Sequence, residues 1–238
     1  MDLERLGKAE RQRGLATWVS PHTEADVLAV GAVLVQADLF ARVNPLNPDS
    51  AREVAAMLAA GAAVLMLPMV ATAAEAARFV DLVAGRARVV LLIERREALD
   101  GLEALLAVAG VDEVHVGLND LALSLALPNR WLVLAGDLMT DVGARVTGAG
   151  LRFGLGGVGR VGDDALPIPT DLIYAEFART GATAALVSRS FHARTPGDLT
   201  PEIARLRQRL AHWRACPPDE LAQAHAELGR LATLAAGW

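Results

Sequence analysis

A repeating unit organises the hydrophobic positions of this chain: an alanine-rich stretch ends at a glycine, and a short apolar run follows. Glycine tolerates the left-handed backbone conformation just beyond a helix end, so it is a typical stop signal. Six apolar runs predict strands, at residues 39–43, 63–67, 89–93, 111–116, 151–155 and 184–187. Because strands that alternate with helices form a parallel sheet covered by helices, the pattern predicts an α/β fold.

Polar residues at the starts of the helical stretches support this division. Ser50 with Glu53 and Thr72 with Glu75 fit capping boxes, and Thr200 before Pro201 fits an N-cap and first helical position. Two architectures satisfy such an alternation, a (β/α)₈ TIM barrel and an open doubly wound sheet. We favour the barrel because of the residues that follow the strands.

The last part of the chain has a different pattern. After the break at Pro217 and Pro218, apolar residues recur at helical spacing, at Leu221, Ala224, Leu228 and Leu231. We therefore assign residues 1–216 to the barrel and residues 217–238 to an added C-terminal helix. The apolar stripe of this helix either packs on its own domain or docks on a neighbouring subunit, and we expect a homo-oligomer.

Composition narrows the possible functions. The 238 residues suit one barrel-sized domain, and the net charge of −5 without a basic run argues against nucleic-acid binding. Cys216 is the only cysteine, which excludes an internal disulfide and zinc-finger patterns. Residues 54–74 carry no charge, but Gly61 and Pro68 interrupt them, so we predict a helix end, a turn and a buried strand rather than a membrane span. With no signal peptide evident, we expect a cytoplasmic protein.

Lys8 is the only lysine of the chain. Schiff-base aldolases and pyridoxal phosphate enzymes need a lysine held inside the active site. We expect Lys8 to lie at the irregular start of the chain and to have no covalent role.

In a TIM barrel the active site lies at the carboxyl ends of the strands, and polar or glycine-rich segments follow five of the six predicted strands. These segments contain Arg42 and Asn44, then Glu94, then Asn119 and Asp120, then the glycine-rich segment 154–160, and finally Ser188, Arg189 and Ser190. The strand that ends at Pro68 and Met69 is the exception.

Glu94 and Asp120 are the candidate metal ligands. Two carboxylates on successive strand ends suit Mg²⁺ or Mn²⁺, because these hard ions prefer oxygen ligands. The alternative is that Glu94 pairs with Arg95 or Arg96 and that Asp120 caps the next helix. Arg42 presents a planar fork for a carboxylate or an enolate oxygen, with a structural ion pair as its alternative.

Two further patterns suggest chemistry less strongly. Residues 154–159 match the dinucleotide fingerprint G-x-G-x-x-G, but Asp163, Asp164 and two prolines follow where a helix should begin. We therefore predict a tight loop that lets a substrate approach the backbone. His22 and His115 are possible bases, although His22 could simply start a helix and a lone strand histidine such as His115 is more often a hydrogen-bonded structural residue.

Six segments in chain order resemble the strand-end motifs of the HpcH/HpaI aldolase and citrate lyase β-subunit superfamily. They are residues 41–45, 66–69, 92–94 and 116–121, with 153–157 and 186–191 resembling a subgroup. The resemblance covers about residues 1–192. It implies a TIM barrel and a divalent cation, Mg²⁺ or Mn²⁺, bound by Glu94 and Asp120. It also implies that Arg42 contacts the substrate oxygen and that backbone amides of Gly117, Leu118 and Asn119 bind the substrate carboxylate.

The chain departs from the family pattern in three places. Arg95 follows the metal-binding glutamate where the family usually has threonine, and Phe177 follows Glu176 where the subgroup usually has histidine. Residues 2–4, Asp-Leu-Glu, resemble the end of the family's second strand. We therefore expect an N-terminally incomplete barrel that lacks its first βα unit. Exposed strand edges are unstable, so we expect oligomerisation to compensate in part.

The resemblance implies a class II aldolase or lyase that acts on a 2-oxo acid such as pyruvate through an enolate. Asp2, Glu4 or a metal-bound water is the candidate proton shuttle. Two alternatives remain. One is an acyl-CoA lyase of the citrate lyase β type, and the other is a truncated barrel with impaired catalysis that serves as a binding protein.

Overall fold

A computed structural model of the chain describes residues 1–13, 19–163, 166–188, 191 and 199–235. All six predicted strands are present, with ends that differ from the predicted ones by at most three residues. They are β1 (Leu39–Arg42), β2 (Ala62–Leu67), β3 (Arg88–Ile93), β4 (Glu113–Val116), β5 (Arg152–Val158) and β6 (Ala184–Val187). Their order in the sheet follows their order in the chain. The α/β prediction is confirmed, and the described residues contain six strands rather than the eight of a complete barrel.

Helices connect the strands. The described α-helices are α1 (Lys8–Arg11), α2 (Glu24–Val33), α3 (Ser50–Ala59), α4 (Ala73–Val83), α5 (Arg96–Asp100), α6 (Leu102–Leu106), α7 (Leu118–Ser124), α8 (Leu138–Gly148), α9 (Thr170–Arg179), α10 (Thr200–Ala215) and α11 (Pro218–Leu234). A 3₁₀ helix spans Arg130–Val133. None of the described helices has both the length and the apolar character needed to cross a bilayer.

The chain divides into two compact units, Met1–His115 and Val116–Trp238. In the first unit, β2 pairs in parallel with β1 and with β3, and the register aligns Met66 with Arg42 on one side and with Val90 on the other. Residues 64–67 and 89–93 are almost completely buried. Burial on both faces explains why these strands are continuous apolar runs in the sequence. The uncharged segment 54–74 is therefore a helix end, a turn and a buried strand, as predicted.

Residues 1–3 lie beside β1. Asp2 forms an isolated parallel bridge with Arg42, in which the Leu3 N–H donates to the Arg42 carbonyl at 2.9 Å and the Arg42 N–H donates to the Met1 carbonyl at 3.0 Å. This is the pairing expected for the end of a strand next to β1. The short apolar segment 15–19 is a further strand candidate from the sequence, and all but its last residue lie outside the described residues.

Helix starts agree with the sequence in part. Thr72 and Glu75 form the predicted capping box of α4. The box predicted at Ser50 is wrong, because Asp49 is the N-cap of α3 and the Ser50 hydroxyl instead accepts a hydrogen bond from the Asn47 N–H at 2.9 Å. Thr200 is the first helical residue of α10 rather than its N-cap.

In the second unit, the predicted glycine-rich loop is wrong. Residues 154–158 belong to β5, which pairs in parallel with β6 and contains a register shift between Gly156 and Val158. Gly157 has φ +83°, and a Cβ atom on Gly156 would lie 3.2 Å from the Val116 carbonyl oxygen. Close backbone approach and a bulge, rather than a ligand loop, account for these glycines.

The predicted C-terminal helix is present as α11, and its apolar stripe packs within the second unit. Ala224, Leu228 and Ala232 are buried, and α11 packs against α9 and the 3₁₀ helix. The Asn129 side-chain amide donates to the Ala232 carbonyl at 3.0 Å, which attaches the end of α11 to the start of the 3₁₀ helix. Packing on its own domain, the first of the two alternatives for this stripe, therefore describes the contacts of these buried residues.

Candidate functional site

Arg42 is the last residue of β1, and its guanidinium group contacts two carboxylates of the first unit. Its Nε and Nη2 atoms donate to Asp2 Oδ1 and Oδ2 at 2.9 and 2.7 Å, and its Nη1 lies 3.3 Å from Glu4 Oε2. This bidentate pairing fixes the plane of the guanidinium. Arg42, Asp2 and Glu4, which the sequence nominated separately, therefore lie together.

Two further cations complete this group. Glu4 is fully buried, and its two oxygens lie 2.8 Å from Lys8 Nζ and 2.5 Å from Arg11 Nη2. We call Asp2, Glu4, Lys8, Arg11 and Arg42 the N-terminal ionic cluster. The prediction that Lys8 lies at an irregular start of the chain is wrong, because Lys8 begins α1 and its side chain is only 7% exposed. Pairing with two carboxylates compensates the burial of its charge.

Asp2 and Arg42 stabilise each other in their charged forms. Burial acts to raise the pKa of Asp2, but hydrogen bonds from Arg42 and the nearby Lys8 charge bring that pKa below its usual value. Burial opposes the charge on Arg42 in the same way. The Asp2 hydrogen bond and the charges of Glu4, Asp2 and Glu94 outweigh it and raise the pKa of Arg42. The charge of Glu94 therefore acts on Arg42 together with the charges of its two direct partners, Asp2 and Glu4.

Glu94 follows the end of β3 and is 2% exposed. Its Oε1 accepts a hydrogen bond from the Met69 N–H at 3.0 Å. Met69 has φ +57°, a left-handed conformation that is uncommon for a residue with a side chain. Arg95 was an alternative partner for Glu94. The Arg95 guanidinium instead pairs with Glu97, at 2.8 Å.

Met69, like Arg11, is a residue of this region that the sequence did not nominate. The strand ending at Pro68 and Met69 was the exception among the strand ends, because no polar side chain follows it. Its contribution comes from a backbone N–H, which every residue except proline has. The only available signal was that Pro68 and Met69 lie within one of the family-like segments.

A cavity of about 340 Å³ opens at the ends of β1, β2 and β3. Charged residues Arg11, Glu75 and Arg95 line it together with apolar side chains that include Leu6, Leu46 and Met69. The Glu75 carboxylate accepts from the Ala71 and Thr72 N–H groups at the start of α4. The cavity borders the ionic cluster through Arg11 and borders Glu94 through Met69, and its volume suits a small organic molecule.

His22 and Asn44 position the N-terminal segment. His22 Nδ1 lies 3.2 Å from the Asp2 backbone nitrogen, and Asn44 Oδ1 accepts from the N–H groups of Arg5 and Leu6. Thr23, not His22, is the N-cap of α2. His22 immediately precedes that N-cap, and its contact with Asp2 gives it a structural role other than starting the helix.

His115 has the structural partner that its position in a strand suggested. In β4 its Nε2 atom contacts the Glu113 carboxylate, and both side chains are buried. Neither residue lines the cavity beside the ionic cluster. This arrangement gives His115 a partner without assigning it a role as a base.

In the second unit, Asp120 lies in the first turn of α7 and is 8% exposed. The N-cap of this helix is Gly117, without a side-chain capping bond, so Asp120 is not the cap that the alternative proposed. Asn119 Oδ1 accepts from Arg130 Nη1 at 3.2 Å. Ser188 donates its N–H to the Val158 carbonyl, and Arg189 and Ser190 lie outside the described residues.

The donor chemistry of Glu94 and Asp120 fits a hard divalent cation, because both are buried carboxylates. Across the described part of the chain, no group of three or more histidine, cysteine, aspartate or glutamate residues is placed to hold a metal ion. Glu94 belongs to the first unit and Asp120 to the second. That the two share one ion stays a prediction.

Comparison with known proteins identifies relatives of the chain. Residues 11–131 match the family model described as HpcH/HpaI aldolase/citrate lyase. An HpcH/HpaI aldolase from Desulfitobacterium hafniense DCB-2 aligns with a TM-score of 0.58 and 17% identity over 91% of this chain and 92% of its own. RipC from Yersinia pestis aligns with a TM-score of 0.61 and 16% identity over 89% and 94%. At such identities these structures support the fold alone. Comparison with curated proteins gave no significant match.

Proposed function

The chain belongs to the HpcH/HpaI aldolase/citrate lyase family, and we propose that it is a metal-dependent, class II aldolase or lyase. In this proposal it makes or breaks a carbon–carbon bond beside the oxo group of a 2-oxo acid such as pyruvate. The observation that carries the proposal is the arrangement at the end of β1, where Asp2 holds the Arg42 fork within the electrostatic reach of buried Glu94.

Glu94 and Asp120 would hold Mg²⁺ or Mn²⁺ in this proposal. When bound, the ion would supply Lewis acidity toward the oxygens of the oxo acid. The Met69 N–H donates to Glu94 Oε1 and so restrains that carboxylate. Hydrogen bonds that orient metal-binding carboxylates affect metal affinity, so Met69 belongs to the proposed site through its backbone.

Arg42 would stabilise the negative charge that develops on the enolate oxygen. A guanidinium has five N–H donors, and the three named contacts to Asp2 and Glu4 leave donor capacity on Nη1 and Nη2. Because Asp2 fixes the guanidinium plane, Arg42 needs little reorganisation when the charge appears. Backbone N–H groups of Gly117, Leu118 and Asn119 would bind the substrate carboxylate.

Asp2 and Glu4 suit this orienting role better than proton transfer. An effective general base has a pKa near the working pH, and the pKa of Asp2 is below that of an ordinary aspartate. Glu4 has no solvent exposure and is paired with Lys8 and Arg11. We propose that both carboxylates act through Arg42, with Asp2 the one that has solvent access.

The cavity beside the cluster would take the second substrate, the carbonyl partner of the aldol reaction. Its apolar walls suit a short carbon chain, and Arg11 and Arg95 provide positive charge. Arg95 pairs with Glu97 in a partly exposed ion pair, which is weak enough for a ligand to replace. An acyl-CoA lyase would instead need the thioester, so dependence on CoA separates the two activities.

Exchange of the pyruvate methyl protons with D₂O, followed by NMR, tests the proposal without the partner substrate. We expect exchange that requires Mg²⁺ or Mn²⁺, is abolished by EDTA, and is lost in Glu94→Gln and Asp120→Asn. Glu97→Gln, three residues from Glu94 and exposed, is the matched control and should exchange normally. Metal-independent exchange, or full exchange in Asp120→Asn, would refute the proposal.

A further inference from the structure

We propose that Lys8 is a positioning residue whose ammonium neutralises the carboxylates around Arg42, so that Arg42 keeps positive charge for an anionic substrate oxygen. This inference rests on the proposed function, because it takes Arg42 to be the group that meets the substrate. The sequence predicts no covalent role for Lys8. Its observed environment gives it a different, non-covalent role.

The contacts show that Lys8 and Arg42 share the same carboxylate oxygens. Asp2 Oδ2 lies 2.7 Å from Arg42 Nη2 and 3.5 Å from Lys8 Nζ. Glu4 Oε2 lies 3.3 Å from Arg42 Nη1 and 2.8 Å from Lys8 Nζ. Each of these oxygens therefore interacts with two cations, and Arg42 does not have to neutralise either carboxylate alone.

The N-terminal ionic cluster has an excess of positive charge only when Lys8 is included. Asp2 and Glu4 are its two carboxylates, and Lys8, Arg11 and Arg42 are its three cations. Without Lys8, two carboxylates face two cations, and an incoming anion no longer meets an excess of positive charge. Charges are poorly screened where the groups are buried, and Glu4 and Lys8 are both buried.

This role differs from simple stabilisation in a way that mutations can detect. If Lys8 only holds the fold together, removing its charge lowers stability without changing the affinity of the folded protein for an anion. If Lys8 balances charge, removing one carboxylate at the same time restores the balance. The pair Lys8→Met and Lys8→Met/Glu4→Gln separates the two roles, because Met and Gln preserve the approximate shapes of the replaced side chains and Asp2 still holds the Arg42 fork.

The test measures binding of oxalate, a planar mimic of the pyruvate enolate, by titration calorimetry with Mg²⁺ present. We expect Lys8→Met to weaken oxalate binding by about tenfold or more, because the cluster loses its excess of positive charge. Lys8→Arg should stay within about threefold of wild type, and Lys8→Met/Glu4→Gln should recover most of the affinity. Arg145→Met, which removes a cation that pairs with Asp141 in the second unit, is the control and should bind like wild type.

Wild-type affinity in Lys8→Met, or no recovery in the double variant, would overturn the role of Lys8. If Lys8→Met does not fold, the charge-balanced variant Lys8→Met/Glu4→Gln decides: it must bind oxalate within about threefold of Lys8→Arg, and weaker binding would overturn the inference. Proton exchange into pyruvate separates the two proposals. Exchange in the wild type with unchanged oxalate affinity in Lys8→Met refutes only the role of Lys8, whereas no exchange in the wild type refutes the proposed function itself.

Discussion

Two regions of this protein each bury a glutamate completely beside an arginine. In the first unit, Glu4 contacts Lys8 and Arg11 within the N-terminal ionic cluster. In the second unit, Glu176 of α9 contacts Arg179 Nη2 at 2.8 Å and His225 Nδ1 at 2.9 Å. The complete burial of the glutamate and its pairing with an arginine are common to both regions.

Their surroundings differ. Glu176 connects α9 to α11 through His225, and the Arg179 guanidinium also contacts Thr140 and the Gly136 carbonyl, so its contacts tie neighbouring elements together. The ionic cluster borders a cavity through Arg11, and Arg42 and Asp2 keep about a quarter of their side-chain surface accessible. Access to a ligand-sized space, more than burial, is the reason we propose chemistry at the ionic cluster and not at Glu176. Mutations should therefore separate activity in the first region from stability in the second.

The largest effect should come from Arg42→Lys. Lysine keeps the charge but lacks the planar fork that Asp2 holds, so the rate of pyruvate proton exchange should fall about 100-fold or more. Unfolding by urea should change little by comparison. Wild-type turnover in this variant would make Arg42 a structural residue and would remove the contrast between the two regions.

Glu176→Gln should show the opposite pattern. It leaves Arg179 and His225 without their buried anion, and breaking a buried ion pair costs about 3–5 kcal/mol of folding stability. Activity per folded molecule should be preserved, which proton exchange below the unfolding temperature can measure. Glu227→Gln, which removes an exposed pair with Arg230, is the control and should unfold like wild type. Loss of activity without loss of stability would instead mean that Glu176 takes part in the reaction.

Arg95→Gln should have a smaller and more specific effect. The KM of this variant for glyoxylate, used as the aldehyde partner, should rise about tenfold because a charge-assisted contact with the substrate is lost. The rate of pyruvate proton exchange should stay unchanged. Arg96→Gln is the neighbouring control, since Arg96 is exposed and does not line the cavity. Equal KM values in the two variants would leave the cavity without a role for Arg95.

The smallest effect concerns acid stability. Because the folded-state pKa of Asp2 is lowered, its stabilising contribution is complete above the pKa of the unfolded chain and is lost as pH falls through the folded-state pKa. The difference in unfolding free energy between wild type and Asp2→Asn should therefore shrink as the pH is lowered below about 4. Urea titrations at a series of pH values measure this difference, and a constant difference would mean that Arg42 does not hold Asp2 in its charged form.

The sequence predicted the strands well because burial on both faces produces continuous apolar runs, and the strand ends then indicated Arg42 and Glu94. It placed the glycines of residues 154–157 in a loop, since a G-x-G pattern does not distinguish a phosphate-binding turn from a strand whose backbone lies close to its neighbour. The environment of Lys8 depends on contacts with Asp2 and Glu4 through a short helix that has no clear periodicity. The role of Met69 lies in its backbone, which the side-chain pattern does not encode.

Binding of Mn²⁺, followed by electron paramagnetic resonance, tests most directly the claim that Glu94 and Asp120 form one metal site. We predict one ion per chain in the wild type, with affinity weakened about tenfold or more in both Glu94→Gln and Asp120→Asn, because each removes an oxygen ligand that the ion needs. Glu97→Gln should bind as wild type does. Wild-type Mn²⁺ affinity in either Glu94→Gln or Asp120→Asn would contradict the shared site.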